Sequence, residues 1–409
     1  MKFIVVLACC IAAISAATVR YDGQEVLRTF PSSREQVDKL ATLQETHDFW
    51  SAPRLNGPTD IRAGGVEKLE LRKFLIQNEI KYEVLIDDVQ QRIYWEAKSY
   101  SASANNSVNA LTWTNYHTLA EIHTFLQDIS NQHKDISEVI NIGTSTEGRT
   151  LKLIRIGANG GTRKKAIFMD GAIHAREWIA PAVATWFVNE LLTNRNKYTT
   201  LLSQVDFYIL PVANVDGYEY SRTTDRMWRK TRSANSGSTC RGTDPNRNFA
   251  TGYGGPGTST NPCSEIYRGT RAFSEPETKA MSDFINNRST ANWIVYAALH
   301  SYSQMILTPW GYTYDFPPTY TELKNLGVRA ANALTAVHRT SYEVGSITEI
   351  LSPGSGGSDD WAYGSGNFRY SYTIELRDTG RYGFLLPASQ IIPTAQETWE
   401  AVLVMANAM

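Results

Sequence analysis

The sequence predicts an α/β fold: a mixed, mostly parallel sheet covered by helices on both faces, preceded by a small separate layer of strands and helices. Three observations point there. The segments Ala166 to Met169, Asp206 to Val212, Trp293 to Leu299 and Tyr370 to Glu375 are apolar almost throughout instead of alternating, the pattern of strands buried on both faces. Helix-like segments lie between them, at Ile179 to Leu192, Glu275 to Asn286 and Tyr320 to His338, as an α/β layer requires. A polar stretch without apolar periodicity, Lys98 to Ser107, sets the first part of the chain apart. With 409 residues, 42% of them hydrophobic, the chain has ample material for a large core and exceeds one typical domain.

In chain order, Met1-Lys2 is followed by a short apolar run, Phe3 to Ile11, and by small residues, Ser15-Ala16-Ala17. That is the plan of a signal peptide, too short for a membrane span, so a secreted, extracellular protein without a membrane anchor is expected. The formal net charge of −1 gives no support for a nucleic acid or an anionic membrane as partner. Residues 18–98 read as one small unit. It has strands at Tyr21 to Phe30, Tyr82 to Asp87 and Arg92 to Trp95, and helices at Ser33 to Glu45 and Gly65 to Gln77, with Ser33 and Gln36 resembling a capping box. Residues 99–112 read as an exposed linker, where proteolytic nicking concentrates, and a trypsin-like cut is expected after Arg92 or Lys98. From Trp113 to the end runs the α/β unit, which opens with a helix at Thr118 to Ser130 and strands at Ile136 to Ile140 and Leu151 to Ile156. Once Cys9 and Cys10 leave with the signal peptide, Cys240 and Cys263 remain, and in an oxidising compartment one pair forms one disulfide. Asn105 and Asn287 head glycosylation sequons. Nothing indicates an obligate oligomer, and a monomer is expected.

Ligands of such sheets collect at the carboxyl ends of strands, and the chemically capable residues stand there. His174 and Glu177 follow one strand end, three apart with a turn between strand and helix, so both can converge on one ion. Arg176 adds a fixed positive charge nearby. The run ending at Leu299 delivers His300, and Tyr372-Thr373-Ile374 delivers Glu375. Two histidines and a glutamate are the protein ligands of a catalytic zinc with its fourth position open. The other histidines, His47 in the first unit and His117, His123, His133 and His338 in polar, helix-like surroundings, read as ordinary side chains.

From Tyr116 onward these residues carry a resemblance to the zinc metallocarboxypeptidases of the pancreatic carboxypeptidase A/B type. It rests on six ordered motifs: His174-Ala175-Arg176-Glu177-Trp178, Met227 to Arg232, Asp244-Pro245-Asn246-Arg247-Asn248, His300 to Gln304, Gly356 to Trp361 and Glu375 to Phe384. The resemblance implies a carboxypeptidase-like, eight-stranded-type sheet, and an activation pro-domain of the α+β open-sandwich kind for residues 18–98. It also implies one Zn2+ held by His174, Glu177 and His300, with Cys240 and Cys263 at the family's disulfide positions. Glu375 would serve as general base and Arg229 as oxyanion donor. Asn246 and Arg247 would clamp the terminal carboxylate of peptide and protein substrates, and Arg176, Ser301 and Tyr302 would contact residues further up the substrate. An activating trypsin-like protease is the implied partner.

Two positions set this chain apart. The family's mobile tyrosine would fall at Ser352, four residues before Gly356-Gly357, so a weaker hold on substrate is expected with the chemistry retained. Asp359 falls where B-type enzymes carry an aspartate that selects C-terminal Lys or Arg, whereas Ile347 and Gly311 match the A-type, which takes apolar residues. The charge favours Lys/Arg, with A-type preference as the alternative. A catalytically silent binding member of the fold is the alternative from another class, and it conflicts with the presence of His174, Glu177, His300 and Glu375.

Overall fold

In the computed structural model, residues 18–103, 111–158 and 164–409 are described. The predicted signal peptide and the Asn105 sequon lie outside these residues, while Asn287 is exposed. The N-terminal unit runs β1 (Glu25–Phe30), α1 (Arg34–Thr42), β2 (Asp48–Phe49), β3 (Thr59–Ala63), α2 (Gly65–Gln77), β4 (Lys81–Ile86) and α3 (Val89–Ser103). Its antiparallel sheet has the order β2-β3-β1-β4. Leu27 and Ile61 on one face pack against Leu40 of α1 and Leu71 and Leu75 of α2. Val26 and Ile86, together with Tyr21, Trp50 and Val89, join Met227, Tyr302, Phe384 and Leu385 of the larger unit in a second apolar cluster. The small sheet is therefore seated on the rest of the protein through its own core residues.

Arg92 to Trp95, expected as a strand, is helical. Asp88 accepts from the Gln91 backbone N–H at 2.9 Å, as an N-cap does. Val89, Ile93 and Glu96 then face inward at helical spacing, Glu96 onto Arg226 at 2.7 Å. The helix continues to Ser103, so the first five residues of the expected linker are helical and Lys98 stands exposed on it. At α1, Ser33 Oγ does accept from Gln36 N–H, but Gln36 Oε1 accepts from the Ser32 N–H, so the box closes one residue early.

The larger unit contains α4 (Leu119–Gln132), β5 (Ser137–Thr144), β6 (Thr150–Ile156), β7 (Lys164–Gly171), α5 (Ile179–Thr193), α6 (Thr199–Gln204), β8 (Val205–Leu210), α7 (Val215–Thr223) and α8 (Pro276–Asn287). It continues with β9 (Ala291–Ser301), β10 (Met305–Thr308), α9 (Tyr320–His338), β11 (Glu343–Ser346), α10 (Ile347–Ile350), α11 (Ser358–Gly364), β12 (Tyr370–Leu376) and α12 (Ile391–Asn407). Eight strands form one sheet in the order β11-β10-β12-β9-β7-β8-β6-β5. The central strands β12, β9, β7 and β8 are parallel, and antiparallel pairs occur at β10/β12, β8/β6 and β6/β5. Every residue of β8 and all of β7 from Ala166 are buried, which a sheet achieves only when both faces are covered. The parallel centre brings the carboxyl ends of β7, β9 and β12 to one edge. Cys240 and Cys263 are joined in a disulfide, which a loop of that size rewards with about 3 kcal/mol by the chain-entropy account.

Candidate active site

At the end of β7 the chain must turn tightly against α5. Gly171 permits this: a Cβ there would lie 2.9 Å from the Pro211 carbonyl oxygen and about as close to the backbone of Ala180. Ala172 follows with φ +49°, an unfavourable conformation of the kind that clusters at functional sites. The loop is then pinned by the Ala175 N–H to the Arg229 carbonyl at 3.0 Å. His174 and Glu177 emerge from it just before α5 begins.

His174 Nδ1 lies 2.8 Å from Glu177 Oε1, and His300 Nδ1 lies 3.1 Å from Glu177 Oε2. The Ser301 backbone N–H, next along β9, donates to the same Oε2 at 3.2 Å. Ligand atoms of the three side chains lie within 4.8 Å of one another, and all three residues are buried. A tetrahedral zinc with bonds of about 2.0–2.2 Å places its ligand atoms roughly 3.3–3.6 Å apart, so this donor set fits. The local charge also favours a cation. Burial works against protonated His300, but Glu177 outweighs it, with Glu375 and Asp170 adding, and raises its pKa to about 9. Burial likewise works against ionised Glu177, yet His174 and His300 hold it well below the usual carboxylate range.

β12 carries Glu375 directly opposite His300 of β9. Burial, with Glu177 and Asp359 adding, pushes Glu375 up to about 8 in spite of His300 and Arg229. The sequence motif around Pro245 points to roles for Asn246 and Arg247 but to none for Asp244. Its Oδ1 lies 3.1 Å from His174 Nε2, and its Oδ2 accepts from Arg229 Nη2 at 2.8 Å. One buried carboxylate thus orients both an imidazole of the metal site and the guanidinium beside it. The only advance sign was an acid directly before Pro245 in a motif otherwise read for Asn246 and Arg247.

His174, Glu177, Arg229, Asn246, Arg247, His300, Ser301, Tyr302, Asp359 and Glu375 all line one chamber of ≈ 140 Å³. Asn246 Oδ1 accepts from the Ser358 N–H at 2.9 Å, and Arg247 is braced by the Gly257 carbonyl at 2.8 Å. Leu307, Ile347 and Thr373 line the same chamber as Asp359. Asp359 is 1% exposed and its Oδ2 has no hydrogen-bond partner. Its neighbour Asp360 points elsewhere, accepting from the Gly311 and Tyr312 N–H groups at 2.9 and 3.1 Å. Ser352 also lines the chamber, and among the described residues Tyr302 is the one tyrosine that does so.

The N-terminal unit closes the chamber's mouth. Phe49, Trp50, Ser51 and Ala52 form part of the wall, and the Ser352 N–H donates to the Pro53 carbonyl at 2.7 Å. Arg176 does not line the chamber. It is fully buried, with Asp48 accepting from Nη1 at 2.7 Å and the Phe49 carbonyl from Nη2 at 3.0 Å. Tyr302 donates to Asp60 at 2.7 Å. Two of the residues expected to meet substrate thus hold the N-terminal unit instead.

The sequence pattern of the family described as "Zinc carboxypeptidase" matches residues 122–401. The chain belongs to the zinc carboxypeptidases. A second pattern, "Carboxypeptidase activation peptide", matches residues 27–94, so the unit that closes the chamber is a propeptide and the chain is a zymogen. It is 50% identical to carboxypeptidase B of Astacus astacus over 299 residues, covering 73% of this chain and 98% of that protein. With carboxypeptidase A1 of Mus musculus it shares 41% over 413 residues, covering 98% of this chain and 97% of that protein. Among solved structures, carboxypeptidase A of Helicoverpa armigera superposes with a TM-score of 0.89 at 30% identity, covering 95% of this chain and 98% of that one. Relatives of A and B type therefore both align, and the chain is a metallocarboxypeptidase that uses zinc, with peptides as its substrates.

Proposed function

We propose that this zymogen is secreted and, once trimmed by a trypsin-like protease, acts as a monomer that removes Lys or Arg from peptide C-termini. In this account residues 1–17 are a signal peptide, 18–98 the pro-domain, 99–112 the activation segment and 113–409 the catalytic domain. Exposed Lys98 on α3 is the preferred cut, because Arg92 is half-buried.

His174, Glu177 and His300 hold the metal. A zinc ion held by them would supply Lewis-acid chemistry, polarisation of the scissile carbonyl and acidification of a water. Glu375 takes the proton of the attacking water and passes it to the leaving amine, a role supported by its place in the chamber wall directly opposite His300. Arg229, steadied by Asp244, faces the charge that develops on the carbonyl oxygen. Arg247 and Asn246 grip the terminal carboxylate, which limits entry to one residue. When the pro-domain leaves, Arg176, Ser301 and Tyr302 become available to the upstream residues.

The observation that carries the specificity is the buried, unpartnered Oδ2 of Asp359 within the chamber. Leu307 and Ile347 can cover the aliphatic stem of a Lys or Arg while Asp359 meets its charge. The same two side chains favour a second reading, A-type preference. Hydrolysis of matched peptides ending in Arg and in Phe by the trimmed protein decides between them: Arg is expected to be preferred at least tenfold, and a preference for Phe overturns the assignment.

A further inference from the structure

Among the buried polar atoms without a hydrogen-bond partner are Nε2 of His300 and Oδ2 of Asp170. β7 and β9 are parallel neighbours, with Asp170 directly opposite Ala298. Residues two apart on a strand share a face, so Tyr296, Ala298 and His300 project on the same side as Asp170. Ala298 is small and leaves room on either side of it. Asp170 uses one direction for Tyr296, whose hydroxyl donates to Oδ1 at 2.5 Å. The other oxygen, Oδ2, has no partner. Asp170 is fully buried, and its charge is among those that act on His300.

A histidine that coordinates through Nδ1 carries its proton on Nε2. The group facing that proton sets the tautomer, the ring orientation and the basicity of the ligand. For His174 the group is Asp244, at 3.1 Å from Nε2. For His300, Nε2 has no hydrogen-bond partner among the described residues; Glu375, directly opposite it on β12, shares its face but is the acid that lines the chamber, and the other acid of that face is Asp170 on β7. We propose that Asp170 is a positioning residue for His300. It steers the Nε2-protonated imidazole electrostatically, as Asp244 steers that of His174, so each imidazole has its own buried carboxylate. Tyr296 is the anchor that keeps Asp170 aimed. This rests on the assignment of His174, Glu177 and His300 as the metal ligands.

The test is zinc affinity, measured on the full chain by competition with a chelator of known strength, with thermal melting to verify folding. Loss of such a supporting carboxylate costs about 10–100-fold in metal affinity, and that weakening is expected for Asp170→Asn and for Asp244→Asn. Tyr296→Phe, which frees Asp170 without removing it, is expected to weaken zinc by a smaller factor. His300→Ala separates the two ideas: if it retains wild-type zinc affinity, the ligand assignment itself fails. If it loses zinc while folded Asp170→Asn stays within twofold of wild type, the role of Asp170 is overturned. Should Asp170→Asn not fold, the ring nitrogen spectrum of 15N-histidine-labelled, zinc-loaded wild type decides. A solvent-protected Nε2–H on His300 supports the proposal, and an Nδ1-protonated His300 refutes it.

Discussion

Replacing Asp359 by Ile should convert the enzyme's preference. Asp359 lines the chamber, and its buried Oδ2 has no hydrogen-bond partner. A Lys or Arg head about 4 Å from it, at an effective dielectric near 20, gains about 4 kcal/mol. Removing one member of a buried pair costs about 3–5 kcal/mol. The two figures agree, and at about 1.4 kcal/mol per tenfold they correspond to a loss of about a hundredfold to a few thousandfold in kcat/KM for a peptide ending in Arg. A peptide ending in Phe should gain, because the new wall continues Leu307 and Ile347 and no carboxylate is left to desolvate. The assay is steady-state hydrolysis of the two matched peptides by trimmed wild type and D359I. Asp360→Asn is the control: its carboxylate is committed to the Gly311 and Tyr312 N–H groups, so it should lower stability without moving the Arg/Phe ratio. An unchanged ratio in D359I, or a reversed ratio in D360N, refutes the assignment of the pocket floor.

Three further outcomes are expected. Glu375→Gln removes the proton carrier and should lower kcat by about 10²–10⁴-fold with zinc content unchanged, read by turnover and metal analysis on the same sample. Ser352→Tyr, which places an aromatic hydroxyl in the chamber wall, should lower KM several-fold with kcat little altered; an unchanged KM sinks that idea. His123 is half-buried, and burial, with Lys152 adding, lowers its pKa to about 4 from the ordinary 6.5. The unfolded chain then binds the proton more readily, so stability present above pH 6.5 is lost as the pH falls from about 6.5 toward 4, by at most about 3 kcal/mol. In His123→Gln the melting temperature should vary less over that window than in wild type.

The parts of the fold legible in the sequence are those where local pattern and tertiary demand agree. The central strands β7, β8, β9 and β12 announce themselves because burial on both faces makes them apolar throughout, and α5, α8 and α9 lie near their expected positions. Arg92 to Trp95 misled because β-branched and aromatic residues suit a strand locally, whereas Asp88 as cap and the inward set Val89, Ile93 and Glu96 make a helix. The short strands β10 and β11 escaped because four residues carry too little periodicity. The ligands and Glu375 could be read because acids and imidazoles at the ends of apolar strands are conspicuous. The partnership of Arg176 with Asp48 could not, since it joins residues 128 apart across two units. Asp244 and Asp170 act through other side chains, so only the assembled geometry reveals them; Asp170, an acid closing the apolar run Ala166 to Met169, was the more visible of the two.

The central claim is that a metal site formed by His174, Glu177 and His300 works one residue in from a clamped terminal carboxylate. The most direct measurement compares a peptide ending in a free Arg carboxylate with the same peptide amidated, using the trimmed protein before and after chelation and after restoring one equivalent of zinc. The account predicts that only the free acid is shortened, one residue at a time, that chelation abolishes this and that one zinc per chain restores it. Equal cleavage of the amide, cleavage at internal bonds, or activity that survives full removal of the metal would contradict it.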